Sequence, residues 1–136
     1  MNENSMMPTL VGAVVLFVAG FLIYGLALAG FYESNAGTAT GVVKDMLWVW
    51  LILSTLAYAA LLTLVLGWAG STDPGSGFRT AAVVGLLMAI SIDFGQYAMT
   101  NVSNLTLTIV DPVVAAIYSG IGGAVIGMML GKGRNV

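Results

Sequence analysis

Four long apolar segments occupy most of the chain, and short polar segments separate them. A helix needs about 20 apolar residues to cross the roughly 30 Å hydrocarbon core of a bilayer. Each segment is predicted to be a helix, because an open strand cannot satisfy its backbone hydrogen bonds in lipid. The pattern therefore predicts an all-α integral membrane four-helix bundle in one transmembrane domain, residues 1–136, with spans near 8–31, 46–70, 79–100 and 107–131.

Prolines and aspartates mark some of the predicted helix starts. Pro8 suits the first turn of span one, where the missing N–H has no helical partner in any case. Asp111-Pro112 has the order of an N-cap followed by a proline at the first helical position, so Asp111 is predicted to open span four. Asp73-Pro74-Gly75 predicts a turn between spans two and three.

A weak internal repeat relates the two halves of the chain. The same short motifs follow one another in each half: Tyr24-Gly25, Ser34-Asn35 and Val43-Lys44-Asp45 recur as Phe94-Gly95, Ser103-Asn104 and Ile109-Val110-Asp111. The repeat predicts two helical hairpins of the same orientation, related by an axis along the membrane normal. Chance similarity is the alternative, since the spacings drift by a few residues.

The composition fits lipid as the solvent around the protein. Hydrophobic residues make up 59% of the 136 and charged residues only 7%, which leaves too few polar side chains for a water-exposed surface. The formal charge of −2 and the scattered basic residues argue against nucleic acid as a partner. Cysteine and histidine are both absent, so no metal site is expected. With no nucleophile–base pair either, neither an enzymatic activity nor a cofactor is expected.

The basic residues predict the orientation of the spans. With four spans, both termini lie on one side together with Arg79, Lys132 and Arg134, whereas the opposite side holds only Lys44. The positive-inside rule therefore places both termini in the cytoplasm.

Asp93, inside span three, is the main candidate functional residue. Charged groups within a membrane span are costly and mark functional sites by default. Gln96, Tyr97 and Asn101 follow at i+3, i+4 and i+8, on the same helical face. Counting 1.5 Å per residue from Arg79 places Asp93 about 21 Å along the span, in its outer half.

Other acids are predicted at the same level as Asp93. Glu33 ends span one and Asp111 opens span four. We therefore expect a polar vestibule that opens to the outside, with Asp93 at its floor, where it would bind a proton, a small cation or an amine. The expected ligand- or proton-binding residues are Asp93, Gln96, Tyr97, Asn101, Asp111 and Glu33.

A structural role for Asp93 is the alternative. A protonated aspartic acid can hydrogen-bond a neighbouring helix and hold the bundle together. Lys44 is also able to form a structural ion pair with Asp93 or Asp111. The sequence alone does not distinguish a structural role of Asp93 from a binding role.

Small residues form a ridge along span four. Ser119, Gly123, Gly127 and Gly131 recur at every fourth position, which lets another helix approach backbone to backbone. The ridge predicts close helix packing, preferentially within the chain, and a second copy or another protein is the alternative partner.

Short motifs spread over nearly the whole chain carry a resemblance: Tyr24-Gly25, Gly30-Phe31-Tyr32-Glu33, Ile92-Asp93, Val110-Asp111-Pro112, and Gly123 with Gly127. Together they resemble small four-span bacterial membrane proteins of unknown function. The resemblance implies a four-helix bundle in the bacterial inner membrane, and it implies no activity.

Three functions fit these observations. The leading hypothesis is a transporter or channel component in which Asp93 responds to protons or cations. The second is a non-catalytic scaffold or subunit that docks other helices, and the third is a lipid-binding protein with Asp93 holding a polar head group. Membrane lipid is the expected partner, and a homo-oligomer or a larger membrane complex is compatible with each hypothesis.

Overall fold

Five α-helices and one π-helical segment form the bundle. The computed structural model describes the backbone of Glu3–Arg134 and the side chains of residues 3–133. The helix α1 (Glu3–Gly20) continues directly into a π-helical segment (Phe21–Ala27), and a short helix α2 (Ala29–Ser34) follows. The remaining helices are α3 (Trp48–Ala69), α4 (Pro74–Met99) and α5 (Leu105–Arg134).

Four of these helical stretches are long and apolar enough to cross a membrane. They are Glu3–Ala27, Trp48–Ala69, Pro74–Met99 and Leu105–Gly133. The predicted all-α four-helix bundle is thereby confirmed, and it fits a small multi-pass membrane protein. Within Glu3–Arg134 the only pairing of extended backbone is an isolated bridge between Ala36 and Ser103.

Two ends of the bundle can be distinguished by their connections. The loop end carries α2, residues 35–47 and residues 100–104, and the terminal end carries the start of α1, residues 70–73 and the end of α5. At the loop end the two connections pair with each other, because Gly37 N donates to Val102 O and Ala39 N donates to Asn101 O. Gly37 is required there, since an added Cβ would lie 1.9 Å from Asn101 O.

Three helix starts differ from those predicted. The helix α1 begins at Glu3, so Pro8 lies inside it and not in its first turn. The helix α4 begins at Pro74, with Asp73 as an N-cap that accepts a hydrogen bond from Ser76 N at 2.9 Å. The prediction that Asp111 caps span four is wrong, because α5 begins at Leu105 and contains Pro112.

Asn104 caps α5 in place of Asp111. Its Oδ1 accepts a hydrogen bond from Leu107 N at 2.8 Å, and its Nδ2 donates to Asn35 Oδ1 at 3.0 Å. A side-chain oxygen at the N-cap satisfies a backbone donor that has no partner within the helix. Asp111 consequently lies about 9 Å inside the span that begins at Leu105, and its carboxyl group does not cap the helix.

The ridge of small residues on α5 packs against α4. An added Cβ at Gly123 would lie 2.2 Å from Ala81 Cβ, and one at Gly127 would lie 3.0 Å from Gly77 Cα. Ser119 fills the space beside Gly85, and Gly131 lies against the backbone of residue 72. The ridge is therefore used within the chain, where it brings two helix backbones together.

The core of the bundle is closely packed between its two ends. Leu16, Leu62, Leu66 and Ile126 are fully buried and pack with Ala59 and Ala81. The buried hydroxyl groups around this core are hydrogen-bonded, for example Thr9 to Thr63 at 3.0 Å. Large apolar side chains such as Val49 and Trp50 are exposed on the outside of α3, as expected for a surface that faces lipid.

Candidate functional site

Asp93 and Asp111 form a carboxyl pair at the loop end of the α4–α5 hairpin. Asp93 lies about 9 Å from the end of α4, and Asp111 lies about 9 Å from the start of α5. Residues at equal distances from the connection face each other in an antiparallel hairpin. The same symmetry about residue 102 pairs Gly85 with Ser119 and continues through the seam of small residues between the two helices.

The two carboxyl groups of the pair lie close enough to interact electrostatically with each other. Asp111 Oδ1 also accepts a hydrogen bond from the Tyr32 hydroxyl. Asp93 Oδ2 is buried and has no hydrogen-bond donor, and within the part of the chain that the structure describes it is the only buried side-chain oxygen or nitrogen in that state. Two carboxyl groups can form a hydrogen bond with each other only when one of them carries a proton.

A tyrosine cluster (Tyr24, Tyr32, Tyr58 and Tyr118) lies next to the carboxyl pair. The Tyr24 ring meets those of Tyr32 and Tyr118 edge to face, with centroids 5.4 and 5.6 Å apart. The rings of Tyr58 and Tyr118 are stacked at 6.2 Å. Tyr58 and Ser119 share a hydrogen bond of 2.6 Å between their hydroxyl oxygens. The cluster therefore connects three spans and α2 to the seam between α4 and α5.

Tyr32 stays neutral as a hydrogen-bond donor to the carboxyl pair. Burial raises the pKa of the Tyr32 phenol well above its ordinary value, and the hydrogen bond to Asp111 raises this pKa further. A neutral phenol can donate to Asp111 whether or not that carboxyl group is charged.

The π-helical segment positions Tyr24 within this cluster. Leu28 N donates to Ile23 O at 2.8 Å, which is the i to i−5 bond of a π-turn. Such a turn widens the helix and changes the direction of the side chains that follow it, and it occurs frequently at functional sites. Phe21, Tyr24 and Gly25 of this segment line a neighbouring cavity.

The cavity lies between span one and α3 and has a volume of about 560 Å³. Tyrosines of the cluster are part of its wall, and Phe21 and Trp48, which are exposed at the surface, also line it. Aromatic side chains dominate the lining: Phe17, Phe21, Tyr24, Trp48, Tyr58 and Tyr118. Its size and apolar character are typical of a small-molecule site.

The other predicted binding residues do not join the carboxyl pair. The side chains of Glu33, Gln96, Tyr97 and Asn101 are exposed, and none of them forms a side-chain hydrogen bond among the residues that the structure describes. Their predicted binding role stays a prediction.

Lys44 is the alternative ion-pair partner considered for Asp93 or Asp111. Lys44 is exposed in the connection before α3. Within the described part of the chain it forms no ion pair with Asp93, and no group of three acidic side chains there is arranged to hold a metal ion.

The sequence analysis did not identify Tyr32 or Tyr118 as members of the site. For Tyr118 a signal existed, because it lies seven residues after Asp111 and hence on the same face of α5. Tyr32 gave no usable signal, since the π-turn between Tyr24 and Tyr32 alters the helical phase that such reasoning assumes.

No family model, curated protein or solved structure matches this chain. The resemblance to four-span bacterial membrane proteins of unknown function therefore stays a prediction. The carboxyl pair, the tyrosine cluster and the cavity are the features from which a function can be inferred.

Proposed function

We propose that this small membrane protein is a transporter or channel component that responds to a proton or a cation at the carboxyl pair. The observation that carries the proposal is the close approach of Asp93 and Asp111 inside two membrane spans. Acidic side chains at membrane depth are kept for ion pathways, proton relays or ligand binding more often than for packing.

The chemistry of the pair supports an exchange between a proton and a cation. Two ionised carboxylates at this distance repel strongly in an apolar surrounding, so a single shared proton relieves the repulsion. That proton would also allow the buried Asp93 Oδ2, which has no hydrogen-bond donor, to take part in a hydrogen bond. A bound cation neutralises the pair in the same way, which makes proton release and cation binding coupled events.

Under this proposal, the present arrangement of the bundle is a closed state with respect to passage across the membrane. Leu16, Leu62 and Ile126 are fully buried on the terminal-end side of the tyrosine cluster. The helix α3 packs mainly against α1 and α5. Transport therefore requires a rearrangement, and we propose that α3 moves relative to the α4–α5 hairpin.

The test is proton movement into proteoliposomes that carry a pH-sensitive dye and a potassium diffusion potential. Asp93→Asn and Asp111→Asn are expected to reduce the rate to that of protein-free liposomes, since an amide cannot exchange a proton. Asp45→Asn removes an exposed acid in the connection before α3, at the same end of the bundle, and serves as the matched control. Normal proton and cation movement through correctly folded Asp93→Asn protein would falsify the proposal.

Binding of an apolar ligand is the second candidate function, and the cavity beside α3 favours it. A cavity of about 560 Å³ walled by aromatic rings can hold part of a lipid or another apolar molecule. Ser54 lines the cavity, so that Ser54→Phe is expected to reduce its volume. Mass spectrometry of protein extracted in mild detergent tests this candidate, because a lipid bound in the cavity should be retained by the native protein and lost from Ser54→Phe. Equal lipid retention by both proteins argues against it.

The scaffold hypothesis has no comparable support, because α4 of the same chain covers the ridge formed by Ser119, Gly123, Gly127 and Gly131.

A further inference from the structure

We propose that the ligand of this protein is a lipophilic ammonium ion, with its apolar body in the cavity between span one and α3 and its charged head against the tyrosine cluster. The inference rests on the proposed function, because it assumes that the carboxyl pair handles cations, and it names their chemical class.

The cavity and the carboxyl pair are adjacent parts of one arrangement. Tyr24 lines the cavity, and its ring contacts Tyr32, whose hydroxyl donates to Asp111. Tyr24 is also close enough to interact electrostatically with both Asp93 and Asp111. A positive charge at the tyrosine end of the cavity is therefore separated from the acids by little more than one layer of rings.

The aromatic wall of the cavity can stabilise a positive charge that has been removed from water. The faces of aromatic rings carry negative potential and attract quaternary ammonium groups when several rings surround them. Tyr24, Tyr58 and Tyr118 supply such rings from three different spans. An apolar body of the ligand would lie against Phe17 and Leu51 farther along the same cavity.

The distribution of charge favours a cation over an anion. The basic side chains lie at the ends of the spans or in a connection, with Arg79 in the second turn of α4 and Lys44 in the connection before α3. No basic residue occurs between residues 80 and 131. The acids Asp93 and Asp111 therefore dominate the potential in this low-dielectric region, and they disfavour a phosphate or carboxylate head group.

The cavity is accessible from the lipid-facing side of the bundle. Phe21, Trp48 and Leu51 line it and are exposed on the outer surface between span one and α3. A ligand that partitions into the bilayer can reach the cavity sideways, which suits an amphipathic molecule better than a hydrated inorganic ion.

Decyltrimethylammonium is a suitable probe, and Trp48 is a suitable reporter of its binding. Trp50→Phe and Trp68→Phe, made together, leave Trp48 as the only tryptophan, and both replaced side chains are exposed. In lipid nanodiscs, the cation is expected to change Trp48 fluorescence saturably and to bind at least about tenfold more tightly than decanol or decanoate. Binding is also expected to release protons in a weakly buffered solution, because the charged head favours the ionised carboxyl pair.

Two pairs of variants distinguish the contribution of the cavity to probe binding from the contribution of the acidic side chains. Ser54→Phe is expected to reduce the volume of the cavity and to abolish binding, whereas Val14→Phe adds the same ring to a neighbouring depression and is expected to leave binding unchanged. Asp93→Asn and Asp111→Asn keep the cavity and are expected to remove the preference for the cation over decanol. Circular dichroism and size-exclusion chromatography confirm that each variant is folded.

Several outcomes overturn the inference, and they differ from those that overturn the proposed function. Equal affinity for the cation, decanol and decanoate shows an apolar pocket without charge selection. Unchanged binding in Ser54→Phe shows that the probe binds elsewhere. If the probe does not bind but proton movement depends on Asp93, the inference fails while the proposed function stands. If proton movement is also independent of Asp93, both fail.

Discussion

Asp73 and Asp93 show how one type of side chain serves opposite ends of a single helix. Asp73 is exposed at the start of α4 and accepts hydrogen bonds from Ser76 N at 2.9 Å and Ser76 Oγ at 2.6 Å. Its negative charge is stabilised there by these donors and by the helix dipole. Asp93 lies near the other end of α4, where its neighbour is a second acid and Oδ2 has no donor. Local donors thus make Asp73 a structural cap, whereas Asp93 Oδ2 lacks such donors and belongs to the site of the proposed proton exchange.

A pH dependence of stability is expected from Asp73. The hydrogen bonds from Ser76 hold the pKa of the Asp73 carboxyl below its usual value of 3.8. A carboxyl group whose pKa is lowered by folding stabilises the protein above its unfolded pKa, and this stabilisation is lost as pH falls through the folded pKa. Asp73→Asn retains a capping oxygen but cannot titrate, so its thermal midpoint should fall less than that of the native protein below about pH 4. Thermal unfolding in detergent from neutral to acidic pH measures the difference.

Asp45→Asn is the control for this experiment, because Asp45 is an exposed acid in the connection before α3. Identical pH profiles for the native protein and Asp73→Asn would contradict the expectation.

The α4–α5 hairpin is the element that builds the carboxyl pair. Small residues recur every four positions on both helices, and residues at equal distances from the connection meet across the seam. Ala81 packs against Gly123 and Gly85 against Ser119, with no room for a larger side chain. Because the helix backbones are held this closely, the two acids that continue the seam at the loop end are brought together. The seam is therefore a positioning device for the carboxyl pair as well as a source of stability.

Gly123→Ala is expected to weaken this hairpin. The added Cβ would lie 2.2 Å from Ala81 Cβ and 2.5 Å from Gly77 O, so the helices have to separate. Overpacking of this kind costs about 1–3 kcal/mol of the free energy of unfolding. Unfolding in mixed detergent micelles with increasing sodium dodecyl sulfate measures the loss, and the shift of the helices should also slow proton movement.

Gly67→Ala provides the matched control on α3. An added Cβ at Gly67 has no atom within 4 Å, so the substitution is expected to be neutral or stabilising by up to about 1 kcal/mol. Equal effects of the two substitutions would show that the seam does not carry the packing assigned to it.

At the scale of the whole molecule, α5 is the centre of the bundle. It packs against α1, α3 and α4, and it contributes Asp111, Tyr118 and Ser119 to the site. The cavity lies on the side of α3, and the carboxyl pair lies on the side of α4, with the tyrosine cluster between them. In the proposal, the ligand therefore binds in the cavity and the proton binds at the carboxyl pair, and the tyrosine cluster connects the two sites.

The orientation in the membrane is testable because the native chain lacks cysteine. The positive-inside rule predicts a cytoplasmic terminal end and an external loop end. A membrane-impermeant maleimide should therefore label Lys44→Cys in intact cells and label Lys132→Cys only after permeabilisation. The opposite labelling pattern would place the carboxyl pair near the cytoplasmic side and reverse the predicted topology.

The sequence was a good guide to the number of helices and a poorer guide to their boundaries. Only helices can satisfy the backbone of the four apolar segments in lipid, and the described residues contain four helical stretches long and apolar enough to span a membrane. Pro8 and Pro112 misled the placement of helix starts, because proline is tolerated inside membrane helices whose neighbours satisfy the freed backbone groups. The loop-end caps depend on contacts between distant segments, such as Asn35 with Asn104, which no local pattern contains.

The apolar pattern by itself determined a four-span helical protein with an acid in its third span, since hydrocarbon permits little else for such a chain. Only the tertiary structure decided that Asp93 meets Asp111, because that contact depends on the register of α4 against α5. It also decided that the tyrosines gather beside the pair, since the π-turn resets the helical phase between Tyr24 and Tyr32. Burial follows from composition, whereas the meeting of two polar groups depends on contacts between helices that are distant in the chain.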